Sequence, residues 1–238
     1  MKNWIIHVGF CLLSCFAFAQ ERGVEKKEKS IVLDSLYRED QFYMGFTVNL
    51  LLNKPEGISQ SGFSGGLHLG FIRDMPINKR RNLAIGAGIG YSFNSYNQNL
   101  GISNEDEDTE GTLFLDLSDV DYERNRFTTH LVEAPIEFRW RTSVPETHKF
   151  YRIYAGLKMG YLFSFISNYI NDSGIQIKER DVTGLNRVRT GLTFTFGWNT
   201  FNFHFYYSLN PLFGEDAVLE QETVGLNVIK LGLMFYIL

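Results

Sequence analysis

The chain has 238 residues, a formal net charge of -4 at pH 7, and only two cysteines, Cys11 and Cys15. That charge is too mild to point to nucleic acid, and both cysteines fall in an N-terminal stretch read below as removed, which excludes a disulfide scaffold or cysteine-ligated metal from the mature chain. Beyond that stretch no run approaches the roughly 18 consecutive apolar residues of a transmembrane helix, although the chain carries 22 Gly, 21 Phe and 12 Tyr against 5 Pro.

Met1-Lys2, an apolar run over residues 5–19 and the close Ala17-Phe18-Ala19 before Gln20 read as a cleaved secretion signal, residues 1–19. Leu12-Leu13-Ser14-Cys15 is a rival lipoprotein box that would leave Cys15 acylated, but the apolar run continues past it to the Ala-x-Ala site. Residues 20–41 crowd Glu21, Arg22, Glu25, Lys26, Lys27, Glu28 and Lys29 together without period, as a flexible periplasmic tail would.

From Phe42 the period becomes two, and it returns after every break. Phe42, Met44, Phe46, Val48, Leu50 and Leu52 share one face of the first strand. Phe63, Leu67, Leu69 and Phe71 mark the second, and Leu83, Ile85, Ile89, Tyr91 and Phe93 the third. The fourth sets Val132, Ala134, Ile136, Phe138 and Trp140 against Glu133, Pro135, Glu137, Arg139 and Arg141. The fifth sets Tyr151, Ile153, Leu157, Met159, Tyr161, Phe163 and Phe165 against Arg152, Tyr154 and Lys158. Val188, Leu192, Phe194, Phe196 and Trp198 oppose Arg187, Arg189, Thr193 and Thr195 on the sixth, and Phe201, Phe203 and Phe205 oppose Asn202 and His204 on the seventh. Ile229, Leu231, Leu233, Phe235 and Ile237 oppose Lys230, Gly232 and Tyr236 on the last.

Eight strands of about ten residues suit a bilayer crossing. Counted from a periplasmic N-terminus, the odd connections are 53–60, 97–126, 168–186 and 211–223 and the even ones 74–81, 143–149 and 199–200; long ones alternate with shorter ones most clearly from the third strand onward, the pattern of long outer loops and short periplasmic turns. The expected fold is therefore all-β: an eight-stranded antiparallel transmembrane β-barrel over residues 42–238, in the cell outer membrane, with both termini in the periplasm. Trp140, Tyr151, Trp198 and Phe201 fall at strand ends beside the short turns and predict an inner aromatic girdle.

Facing inward, Glu133, Glu137, Arg139, Arg141, Arg152, Lys158, Arg187, Arg189 and Lys230 are expected to form a charge network that fills a lumen too narrow to be a pore. The run Glu105-Asp106-Glu107-Asp108-Thr109-Glu110-Gly111 imitates the opening of a calcium loop, but Leu117 stands where the closing glutamate belongs, so a solvated acidic loop is expected. His204 and Ser208 share a face yet sit about 13 Å apart along a strand, too far for a nucleophile and its base. His68 and His130 have no serine or acid at a telling spacing, and no cofactor, metal or catalytic residue is expected. The closing run Lys230 to Ile237 looks like the signal by which barrel proteins are recognised for membrane insertion, which would make the barrel assembly machinery a partner alongside outer-membrane lipid.

The segment His130-Leu131-Val132-Glu133-Ala134-Pro135-Ile136-Glu137-Phe138-Arg139-Trp140-Arg141-Thr142, with residues 151–160, the Gly-Leu-Met-Phe-Tyr close and the opening Phe42-Tyr43-Met44-Gly45-Phe46, resembles the PorT-like outer-membrane β-barrel family over residues 42–238. The resemblance implies a small outer-membrane barrel with no catalytic residues to carry over. The family's namesake is a component of the type IX secretion system, needed for export of cargo proteins, but many relatives share only the barrel, and fold alone does not assign a role. The expected function is a non-enzymatic structural or accessory barrel assisting protein secretion through its loops, above all 97–126, or its periplasmic tail, with secretion-system proteins as partners. Competing readings are a lipid-processing barrel enzyme, a narrow channel or small-ligand binder, and a soluble lipocalin-like carrier with the opposite face assignment.

Overall fold

A computed structural model of the chain describes residues 40–104, 111–142, 151–198 and 201–237. The secretion signal, nearly all of the tail, most of the calcium-loop-like run and the turns 143–149 and 199–200 lie outside the described residues. In chain order the strands are β1 (Asp40–Leu52), β2 (Gly65–Pro76), β3 (Leu83–Asn97), β4 (Leu100–Ser103), β5 (Leu113–Asp116), β6 (Tyr122–Arg141), β7 (Tyr151–Asn171), β8 (Gln176–Glu179), β9 (Val188–Trp198), β10 (Phe201–Ser208), β11 (Val218–Leu219), β12 (Glu222–Thr223) and β13 (Asn227–Ile237). Antiparallel pairing runs β1, β2, β3, β6, β7, β9, β10, β13 and back to β1, a closed eight-stranded barrel. The short strands are decoration on the long connections: β4 pairs β5, β8 folds back on the end of β7, and β11 pairs β12.

Period-two patterning sets the faces. Along β1, Gln41, Tyr43, Thr47, Asn49 and Leu51 are buried while Phe42, Met44, Phe46, Val48 and Leu50 are exposed. The same inversion holds on β7, β9 and β10, where Leu157, Met159, Leu192, Phe194, Phe196 and Phe203 are exposed and Arg152, Tyr154, Lys158, Thr193, Thr195 and His204 are buried. A soluble protein does not present a continuous apolar belt of this size to water. Lipid is the solvent that suits it, and the closed ladder leaves no strand edge unpaired in that solvent. Leu157, 52% exposed at mid-strand between Ile136 and Leu192, sits in the belt. Leu157→Arg is expected to cost about 2–4 kcal/mol, read as a fall in the temperature at which the folded, fast-migrating gel band of the unboiled protein disappears. An unchanged temperature would show that this face does not meet hydrocarbon.

Several strand ends and one facing differ from the sequence expectation for physical reasons. β1 begins at Asp40 rather than Phe42, because Gln41 has a buried partner in the lumen, Arg139. β6 begins at Tyr122 and β7 runs to Asn171, so the two pair with each other beyond their expected ends and lead into the connections 98–121 and 172–187. Phe165, expected to face outward with Phe163, is buried. His130 pairs Ser164 and Leu131 pairs Leu162, so Phe163 is an extra residue on β7. That bulge reverses the facing of everything beyond it.

Glycine supplies the space that the inward aromatics need. Tyr43 on β1, Gly70 on β2 and Gly90 on β3 lie in one row, and a Cβ on either glycine would collide with the Tyr43 ring and hydroxyl. The tyrosine therefore lies flat along the wall of the lumen instead of blocking it.

The long-connection end is closed by an apolar core. Ile58, Leu100, Ile102, Phe114, Val182, Leu212, Phe213, Leu219 and Leu226 come from the connections 53–64, 98–121, 172–187 and 209–226 and pack on Leu51, Tyr96, Phe127, Leu131, Leu162 and Phe165 of the strands. Ring centroids run Tyr96 to Phe127 at 4.8 Å, Phe127 to Phe165 at 5.2 Å, Phe165 to Phe213 at 5.9 Å and Phe213 to Phe114 at 5.1 Å. This aromatic chain ties three strands, β3, β6 and β7, to two connections, and aromatic pairs of this kind contribute about 0.5–1.5 kcal/mol each beyond their burial.

Candidate functional site

The lumen beneath this cap holds the charged residues in two groups. In the group nearer the short connections, Asp74 accepts hydrogen bonds from Arg139 and, at 2.6 Å, from Arg141, both arginines being on β6. Glu137 takes Arg139 Nε at 3.1 Å and Gln41 Oε1 takes its Nη1 at 3.1 Å. The Arg139 guanidinium lies 4.0 Å from the Tyr154 ring centroid and 5.2 Å from that of Tyr236, with Arg152 5.8 Å from the latter. Arg139 fits because Gly86, opposite Glu137 on β3, leaves its stem the space a Cβ would occupy. Asp74 was legible only as a turn residue. β2 continues through it to Pro76, its side chain is fully buried, and it is the acid that joins the two arginines.

Higher in the barrel, Glu133 meets Lys158 at 3.2 Å and Lys230 at 4.0 Å and accepts a hydrogen bond from Ser92 at 2.9 Å. The Lys230 ammonium stands 4.9 Å from the Tyr206 ring, a distance at which the ring face adds a weak attraction. Thr47 bridges to Asn49 at 2.9 Å and to His68 at 2.9 Å on the neighbouring wall. Arg189 reaches up to the carbonyl of Pro211 in the cap. Between this group and the cap lies a cavity of about 20 Å³ lined by Glu133, Lys158, Arg189, Tyr206 and Lys230 below and Leu212 above.

Arg187 does not join them. β9 starts at Val188, Arg187 gives its carbonyl to Leu162 N at 2.7 Å, and its side chain is exposed. The alternation that put it beside Arg189 ends where the strand does. On the outside, Trp198 pairs with Tyr151 on one side and Phe201 on the other, and Trp140 pairs with Ile153 two residues along from Tyr151. Phe201 and Phe235 rings meet at 6.2 Å, so the aromatic row at the short-connection end continues onto β13.

Among the described residues, His204 and His130 have these partners. His204 pairs with Thr195 at 2.8 Å, while Ser208 Oγ accepts from Val228 N at 2.7 Å. His130 lies on the outer face, bonded to the Tyr91 hydroxyl at 2.7 Å and ringed by Phe93 and Phe163. Among the described residues, no three His, Cys, Asp or Glu side chains gather to hold a metal.

An apolar belt outside, paired charges inside and a closed ladder define a transmembrane β-barrel protein. The chain belongs to the outer membrane protein beta-barrel domain family, whose model matches residues 18–214. That places it in the outer membrane; the closing strand β13 follows the matched span. No curated protein matches the chain. Among solved structures, it aligns with the crystal structure of Ail, the attachment invasion locus protein of Yersinia pestis, in complex with the heparin analogue sucrose octasulfate, at 8% identity and a TM-score of 0.30, over 83% of this chain and 97% of that one. A structure described as "Asymmetric conductivity of engineered proteins" aligns at 8% identity and a TM-score of 0.22, over 84% of this chain and 100% of that one. Likenesses at this level are silent on fold and function alike.

Proposed function

We propose that this protein is a non-enzymatic, non-conducting accessory barrel that works as a fixed contact platform through its cap, with its termini in the periplasm. The observation that carries the reading is the apolar core shared by all four long connections. Loops that only link strands are mobile and polar, whereas these bury their side chains in one another and hold a rigid surface over a lumen already filled by side chains. The exposed rim of that surface carries Asp119, Asp121, Asp181, Glu215, Asp216 and Glu220, which favours a partner with a basic face. Secretion-system proteins are the partners that the resemblance of residues 130–142 to the PorT-like family suggests, with the barrel assembly machinery acting on β13 during insertion.

Two results are expected. The purified protein gives no open-channel steps in a planar bilayer. A cysteine at Asp119 cross-links a partner in intact cells, and Phe213→Ala abolishes that product. The truncation removes the ring that joins Phe165 to Phe114 at a cost of about 3–5 kcal/mol, falling on the cap while the barrel keeps its heat-modifiable band. Steady conductance, or cross-linking indifferent to Phe213→Ala, would reject the platform. Loss of cargo export in a strain lacking the protein is the separate result that the secretion role requires.

A further inference from the structure

Buried basic side chains outnumber buried carboxylates among the described residues. Among the described residues, Arg139, Arg141, Arg152, Lys158, Arg189 and Lys230 are buried, and the buried carboxylates are Asp74, Glu133 and Glu137. The imbalance is sharpest around the cavity under the cap, where Lys158, Lys230 and Arg189 line one space with a single carboxylate, Glu133. Glu133 is already committed to Lys158 at 3.2 Å and reaches Lys230 only at 4.0 Å. Arg189 is bonded to a neutral carbonyl, that of Pro211. Cations held in a low-dielectric interior are strongly disfavoured without counter-charge, and the roof of this space, Leu131, Leu162 and Leu212, is apolar.

We propose that this cavity is a binding site for one monatomic anion of about chloride's size, held by Lys230 and Arg189 and completing the charge that Glu133 leaves unmet. Its volume of about 20 Å³ selects the class of ligand. A space that admits a water-sized body takes a halide. Tyr206 and Thr129 place neutral hydroxyls on the same space, donors that a halide accepts. The site is independent of the contact role, which resides in the cap surface.

The test uses the full chain, purified in detergent, with bromide in place of chloride. Anomalous diffraction is expected to show one bromine peak between the Lys230 ammonium and the Arg189 guanidinium. Exchanging chloride for gluconate at constant ionic strength is expected to lower the unfolding midpoint by about 2–4 °C. That shift should vanish in Lys230→Met, which leaves the Glu133 and Lys158 pair intact, and in Arg189→Met. Absence of the peak overturns the site. So does a peak accompanied by the same chloride dependence in the parent and both variants, which would mark an adventitious ion only.

Discussion

Asp74→Ala is expected to be among the most damaging single substitutions in this barrel, lowering stability by about 3–5 kcal/mol. The carboxylate is fully buried and accepts from Arg139 and Arg141, themselves 0% and 2% exposed. Deleting it takes a carboxylate contact from both arginines, while Arg139 keeps Glu137. Water cannot enter to compensate without opening the packing of Tyr154 and Tyr236 around the guanidinium. The measurement is urea unfolding of the refolded protein, with the folded gel band as a second readout. Asp74→Asn keeps the shape and removes the charge, so it separates electrostatics from packing and should recover only part of the loss. A shift within about 0.5 kcal/mol for Asp74→Ala, the range of an ordinary surface change, would show that the arginines are satisfied without it.

Glu133→Leu is the second large effect, again about 3–5 kcal/mol, because it confronts Lys158 and Lys230 with each other and leaves Ser92 without its acceptor. The pair of experiments that makes this informative is the single variant beside Glu133→Leu combined with Lys158→Met and Lys230→Met. A buried ion group replaced as a whole by apolar side chains of similar volume is often no less stable than the original, whereas breaking it is costly. The triple variant should therefore recover most of what the single one loses, a coupling of residues in one network that additivity would miss. If the triple variant is worse than the single, the charges contribute attraction beyond their desolvation cost, and the network is a net source of stability.

The wall of the barrel was readable in the sequence because one rule governs it. Apolar residues at alternate positions face lipid, and Phe42, Met44, Phe46, Val48 and Leu50 on β1 obey that rule without exception. The lumen charges Glu133, Glu137, Arg139, Arg152, Lys158, Arg189 and Lys230 stand at the complementary positions, so their burial follows from the same period. What escaped lies where the period stops. Arg187 precedes its strand, and Phe165 follows a bulge that no pattern in residues 161–165 announces. Asp74 sits between Arg73 and Met75 near a turn rich in Asn78, Lys79, Arg80 and Arg81, where an acid reads as one more surface charge. The cap core was invisible for a different reason. Ile58, Ile102, Val182 and Phe213 are single apolar residues in polar stretches, far apart in the chain, and only the closed barrel brings them together. The run from Phe114 to Val120 looked like ordinary loop because its two buried members, Phe114 and Leu117, are too few to establish a period.

The closing ladder joins Phe42 to Ile237, so the first strand finds its second neighbour only when the last one arrives. Until that seam is made, β1 and β13 are each a bare edge with a full row of unspent donors and acceptors, the state in which sheets recruit foreign strands. Ring closure over nearly the whole barrel sequence is also the contact that loop entropy delays longest. The sequence therefore keeps its most exposed moment for last, and residues Lys230 to Ile237, whose pattern resembles an insertion signal, belong to the very strand that ends it. Whatever chaperones this protein to the membrane must hold that seam apart until the two edges can meet each other rather than a stranger.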